Sequence, residues 1–154
     1  MGRQGVNRQP SANTPPGHIE YAKIPHQNHS KPSSAMSITR INPGQRWSDI
    51  TVFNGIAHFV EVPECIETDM ESQTRAVLAQ AEASLAKVGS DKGRLLSVTI
   101  YVTDFAEVPA LNAVWDAWFA PGTAPSRACV KVALADPAWK LEMAFVAAAE
   151  GRPG

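Results

Sequence analysis

The stretch Thr68–Asp104, TDMESQTRAVLAQAEASLAKVGSDKGRLLSVTIYVTD, decides the fold. In its first part Met70, Thr74, Val77, Leu78, Ala81, Leu85 and Val88 recur at helical spacing and make one face. Thr68 stands where an N-cap is expected, with Glu71 three residues on, and Gly89 suits the C-terminal cap. Beyond Gly89 the period shortens to two. Leu96, Val98, Ile100 and Val102 fall on one side of a strand, and Leu95, Ser97, Thr99 and Tyr101 on the other. An amphipathic helix running straight into a half-buried strand calls for a layer of helix on a layer of sheet.

Working outward, the N-terminal side supplies strands. Ser37–Asn42 alternates weakly, and DITVFNGIAHFVEV (Asp49–Val62) places Asn54-Gly55 between two β-rich runs. That dipeptide is a strong hairpin signal, because a type I′ turn needs positive φ at both central positions. Pro63 stops the second strand. On the C-terminal side, VPALNAVWDAWFA (Val108–Ala120) sets Leu111, Val114, Trp115, Trp118 and Phe119 on one helical face, with Pro109 in the first turn and Pro121-Gly122 after it. Two further strands, Arg127–Leu134 and Trp139–Ala148, meet around Asp136-Pro137 and are expected to be hairpin neighbours. The order β-β-β-α-β-α-β-β predicts an α+β domain: a single mixed sheet with two helices packed on one face.

Composition narrows the function. The chain has 154 residues, 44% of them apolar, and a formal net charge of −1. Residues 1–35 are rich in Pro, Ser, Asn, Gln and Gly; four basic residues against Glu20 give this segment +3 and leave −4 for the rest. So few apolar side chains do not offset the entropy of ordering, and the expectation is a disordered tail over 1–35, a domain over 36–150 and a disordered end over 151–154. His18, His26 and His29 fall in the tail and read as solvated rather than metal-binding. An acidic domain is not a general binder of nucleic acid or anionic membrane. No apolar run reaches the ~20 residues that cross a bilayer. Two distant cysteines, Cys65 and Cys129, fit a reduced, cytoplasmic setting. No glycine-rich phosphate loop or metal-ligand spacing appears, so no cofactor is implied.

The chemistry gathers near the C-terminal end. In APSRACVKV (Ala124–Val132) a period of two puts Arg127, Cys129 and Lys131 on one strand face. In WKLEMAFVAAA (Trp139–Ala149) Trp139, Leu141, Met143 and Phe145 alternate with Lys140, Glu142, Ala144 and Val146. If the helices cover Val98, Ile100, Val130 and Val132, the other face shows Leu95, Thr99, Tyr101, Cys129 and Val146, too apolar to stay wet; a second copy of the chain is the expected cover, with a pocket near the interface. Arg127 and Glu142 are then expected on the same side of the sheet. Two readings fit them. One is an ion pair or two solvated edge residues. The other is carboxylate recognition by the planar guanidinium fork, with a glutamate that orients water or moves protons. Cys129 makes a poor nucleophile, since the domain's one histidine, His58, is expected at solvent or a subunit contact.

These segments resemble the Rid/YjgF family, the reactive intermediate deaminases, and especially its YoaB-like branch. The resemblance runs from Met36 to Glu150 through RWSDITVFNG, QTRAVLAQAEASLAKVGSD, VTIYVTDFAEVPALNAVWDAWF with Asn112, and PSRACVKVAL followed by KLEMAFVAA. The 15-residue step from Arg127 to Glu142 matches the deaminase pattern. The resemblance implies a chorismate-mutase-like α+β fold, a homotrimer with clefts between subunits, and hydrolysis of enamines and imines of the 2-aminoacrylate type to a 2-keto acid and ammonia. It implies that Arg127 grips the substrate carboxylate, that the Cys129 backbone lines the pocket and that Glu142 positions the attacking water. Trp47 stands where the family's deaminases carry a pocket tyrosine, and Val60 and Glu61 replace small or hydroxylated residues. A non-catalytic module that binds a small carboxylate on the same fold is the alternative. Ribonuclease activity, attached to some relatives by name, fits poorly with an acidic domain lacking paired histidines.

Overall fold

The computed structural model describes residues 37–66 and 68–150. The expectations for residues 1–35, including the three tail histidines, and for 151–154 lie outside the described residues. Among the described residues six strands and two α-helices follow in the expected order: β1 (Thr39–Pro43), β2 (Ser48–Phe53), β3 (Ile56–Glu61), α1 (Met70–Lys87), β4 (Leu95–Val102), α2 (Val108–Trp118), β5 (Ser126–Lys131) and β6 (Leu141–Ala148). They form one sheet in the order β1-β2-β3-β6-β4-β5, antiparallel throughout except for the parallel β4–β5 pair. Among the described residues no helix is long and apolar enough to cross a membrane.

Local chemistry sets the element ends. The β2–β3 turn has φ of 50° at Asn54 and 73° at Gly55, as its dipeptide requires. The cap of α1 is Asp69 rather than Thr68: the Asp69 carboxylate accepts from the Ser72 amide at 2.8 Å, while the Thr68 hydroxyl donates to the Cys65 carbonyl. A carboxylate beside the first turn's free N–H groups is the better acceptor, and those bonds hold the Asp69 carboxyl below its usual range. At the other end Gly89, at φ 64°, donates to Ala86 O, and the Ser90 amide donates to Leu85 O. That pair of bonds is the Schellman arrangement.

The core lies between the sheet and the helices. The expected α1 face from Met70 to Leu85 is buried, and so are Leu111, Val114 and Trp115 of α2. Leu141, Met143, Phe145 and Ala147 of β6 meet them, as the alternation predicts. Strand β4 departs from its simple period. Leu95, not Leu96, points into the core, and Leu96 is exposed. The cause is a bulge opposite β6, where the register steps from Leu95↔Ala147 to Ser97↔Val146. The extra residue lets both Leu95 and Val98 face inward.

The expected hairpin between β5 and β6 does not form, because β4 lies between the two strands. The connection from β4 through α2 to β5 is a crossover, which returns the chain parallel to β4 and places β5 at the edge. Strand β5 therefore takes the face opposite to that expected, while β6 keeps its own. Paired residues share a side of a sheet. Arg127 pairs with Val98 and Cys129 with Ile100, so both lie on the helix side; Leu95 also lies there. Glu142 and Val130 pair with Tyr101 and lie on the open side. The sequence pattern misled because an edge strand is only partly covered. Val130 is apolar yet exposed, so β5's apolar phase does not mark the core.

Candidate functional site

Arg127 begins the functional edge. It is exposed on β5, yet it is not loose. One Nη donates to Asn112 Oδ1 at 2.9 Å, and the guanidinium carbon sits 5.3 Å from the centre of the Trp115 ring. Both partners belong to α2. Among the described residues neither Arg127 nor Glu142 takes part in a salt bridge. The ion-pair reading of these two residues thus fails within one chain, and the guanidinium keeps hydrogen-bond donors to spare.

Backbone polarity adds to this edge. The Val132 amide donates to Val102 O on β4 at 2.9 Å. Main-chain groups alternate sides along a strand, so the N–H and C=O of Arg127, Cys129 and Lys131 point away from β4 toward the open edge. Cys129, half-buried, thereby sets its main-chain N–H on the same edge as the Arg127 side chain.

The other expected residues form a second group on the open face. Val60 pairs with Ala144, which pairs with Thr99, and Glu142 lies two residues from Ala144 beside Tyr101. Val60 is 52% exposed and Trp47, in the turn before β2, is 70% exposed. Trp47, Val60 and Ala144 line a groove of about 700 Å³ together with His58 and Val146, and from the helix side Glu61, Gln80, Ser84 and Lys87 line it too. Arg127, Cys129 and Glu142 do not line it. The structure thus brings Arg127 to Cys129, and Trp47 to Val60 with Glu142 further along the same face. It separates Arg127 from Glu142 by one intervening strand, roughly 10 Å across, and by the thickness of the sheet, and from Val60 by two strands. One chain thus holds the two groups apart.

Glu61 does not enter the open face. It pairs with Met143 on the helix side, where its carboxylate accepts from Ser84 Oγ at 2.6 Å and from Gln80. Burial raises its pKa above the usual carboxylate range, against the lowering pull of the Ser84 bond and Lys87. A group whose folded-state pKa is raised stabilises below its unfolded pKa and loses that contribution as pH rises through the folded value. Glu61→Gln is therefore expected to gain stability relative to wild type as pH is raised from about 4 to 8. Thermal denaturation of both proteins across that range checks this; a difference independent of pH would disprove it.

One supporting residue escaped the sequence reading. Gln73 is fully buried in α1. Its amide nitrogen donates to Ile66 O and Ala138 O, and its oxygen accepts from the Lys140 amide at 2.8 Å. It pins the start of β6, two residues before Glu142, to the loop that precedes α1. The signal was present: a glutamine sits three residues after Met70 and four before Val77, on the apolar face of the helix.

Comparison with known proteins completes the description. Residues 37–149 match the model of the family described as Endoribonuclease L-PSP. The RutC family protein YoaB of Escherichia coli is 41% identical over 113 residues, covering 73% of this chain and 99% of that protein. A 3-aminoacrylate deaminase, RutC of Acinetobacter baylyi, is 34% identical, covering 68% of this chain and 83% of the relative. The crystal structure of a YjgF-family member from Neisseria meningitidis superposes with a TM-score of 0.72 at 38% identity, covering 75% of this chain and 98% of the other.

Proposed function

The chain belongs to the Rid/YjgF family, in its YoaB-like branch, and from that premise we propose that it is a deaminase hydrolysing reactive enamines and imines of amino-acid origin to 2-keto acids and ammonia. The observation that carries the reading is Arg127: a guanidinium held by Asn112 and Trp115, unpaired with any carboxylate among the described residues, at an edge with an unpaired main-chain N–H. Such a group suits a substrate carboxylate, which it engages with two parallel hydrogen bonds. The deaminase among the relatives supports the same chemistry.

Since the two groups lie on opposite faces, the complete site needs two copies, Arg127 and the Cys129 backbone from one and Glu142, Val60 and Trp47 from the next. A homotrimer of head-to-tail contacts supplies three such sites. In each, Arg127 fixes the carboxylate and Glu142 takes a proton from water as its oxygen adds to the imine carbon. Glu142 passes that proton to the nitrogen to give the carbinolamine, and a second transfer, from the hydroxyl to the nitrogen, forms the ketone C=O as the C–N bond breaks and ammonia leaves. Imines hydrolyse unaided, so orientation and modest acid–base assistance suffice. The reaction calls for no cofactor, and a reduced cytoplasmic setting suits it. An acidic domain argues against nucleic acid as the substrate.

The test generates 2-iminobutanoate in situ with a pyridoxal-phosphate dehydratase and follows 2-keto acid release. Acceleration by wild type that is lost in Arg127→Ala is expected. No acceleration, or equal acceleration by both, disproves the reading. Trp47 and Val60 favour the second reading, a carboxylate-binding module without turnover, because neither presents a hydroxyl to the reacting nitrogen. Arg127-dependent binding of 2-keto acids without acceleration would establish that one.

A further inference from the structure

An arginine on an exposed edge strand ordinarily samples many rotamers, and a ligand that captures it pays for the ordering. Arg127 is different. Its strand lies at the edge of the sheet, but α2 packs close enough to supply two contacts of unlike kind: the Asn112 amide oxygen at 2.9 Å and the Trp115 ring face at 5.3 Å. Trp115 is only 5% exposed, so its ring is itself fixed. It stands against Phe119 at 5.0 Å and Trp118 at 6.3 Å, and the Trp118 indole N–H donates to Glu82 of α1 at 2.9 Å. The platform beneath the guanidinium is therefore tied into the rest of the domain.

The chemistry of the two contacts is matched to a receptor rather than to a structural ion pair. Asn112 accepts a hydrogen bond without neutralising the cation, and an aromatic face attracts the cation without occupying its N–H groups. Together they orient the side chain and leave both its charge and its remaining donors available. An aspartate at 112 would hold the guanidinium at least as firmly but would spend its charge.

We infer that Asn112 and Trp115 are positioning residues that hold Arg127 as a preformed receptor for a carboxylate; the inference deepens the deaminase reading and rests on it for the identity of the ligand. The helix thereby sets the affinity of a residue that belongs to the sheet.

The experiment uses the full chain and pyruvate as the probe, titrated by calorimetry into wild type, Asn112→Ala, Asn112→Asp, Trp115→Phe, Trp115→Leu and Arg127→Ala. The NMR signals of the Arg127 side chain are recorded in parallel. Losing the ring face or the hydrogen bond is expected to weaken pyruvate by about 3- to 30-fold. Asn112→Asp is expected to weaken it at least as much, although the geometry is conserved. Trp115→Phe, which keeps a ring face, is expected to fall between wild type and Trp115→Leu. The ring-current shift of the Arg127 side-chain protons is expected to be present without ligand and lost in Trp115→Leu. In kinetics the Asn112 variants are expected to raise KM more than they lower kcat.

Should Trp115→Leu fail to fold, Asn112→Asp and Trp115→Phe carry the test, since one is a near-isosteric change at a half-buried position and the other keeps an aromatic core. Pyruvate binding by both Asn112 variants at wild-type strength, with Arg127→Ala inert, overturns the positioning role and leaves the deaminase reading standing. An unshifted Arg127 spectrum in the free wild type also overturns it. Arg127→Ala binding like wild type removes the receptor itself, and the deaminase reading with it.

Discussion

Two inactive variants should restore activity to one another. Arg127→Ala is expected to lower kcat/KM for imine hydrolysis by about 10²-fold or more, since a bidentate guanidinium contact to a carboxylate loses two charge-assisted hydrogen bonds. Glu142→Gln is expected to lose about 10²-fold or more through the removal of proton transfer. Co-assembled in equal amounts, the two are expected to return to about a quarter of wild-type activity. The reason is geometric. Arg127 pairs with Val98 on the helix side, and Glu142 pairs with Tyr101 on the open side, so no chain presents both to one ligand. In a ring of head-to-tail contacts a site is intact when the arginine-bearing copy is the Glu142→Gln chain and its neighbour the Arg127→Ala chain. Each condition is met half the time. Co-expression with two distinct tags, tandem purification and the imine assay measure the outcome. Activity that stays at the sum of the parents would show that one chain furnishes both groups.

The largest effect on stability is expected at Phe145. Its ring is 1% exposed and lies stacked on Phe59, centroids 4.9 Å apart and planes 9° from parallel. The two residues face one another across β3 and β6, the central contact of the sheet beneath α1. Phe145→Ala removes a large buried side chain and leaves a cavity in a close-packed region, a change that costs about 3–5 kcal/mol. Against the 5–15 kcal/mol typical of a domain, that is about a fifth of the total at the least. Urea denaturation is expected to show a much lower midpoint, with Phe105→Ala, an exposed control, within about 0.5 kcal/mol of wild type. A loss below about 1 kcal/mol at Phe145 would mean that α1 collapses into the space, and that the stack is not an anchor.

The element order was legible because it rests on local chemistry. Asn54-Gly55 dictates its turn, Gly89 its helix end, and the spacing from Met70 to Val88 its buried face. What was not legible is strand order. Asp136-Pro137 reads as a turn between neighbours, yet nothing in the residues reports that β4 slides between β5 and β6. The faces of β5 followed from that error. Periodicity marks which residues lie together on a strand, but only pairing to a neighbour marks which side they face. Leu95 and Leu96 show the same limit on a smaller scale, since two adjacent leucines conceal a bulge. The candidate residues of the site came from the resemblance. Their division between two faces was not.

The open edge of β5 has a consequence for solubility. An edge strand with unpaired main-chain groups invites further strands to add, and proteins guard such edges with charge. Here the guards are Arg127 and Lys131, at either end of a run that reads Arg-Ala-Cys-Val-Lys. A variant that removes the arginine thus removes half of the charge that discourages sheet extension. Replacement by lysine would keep the repulsion while losing the planar fork, so aggregation and ligand binding can be separated at a single position.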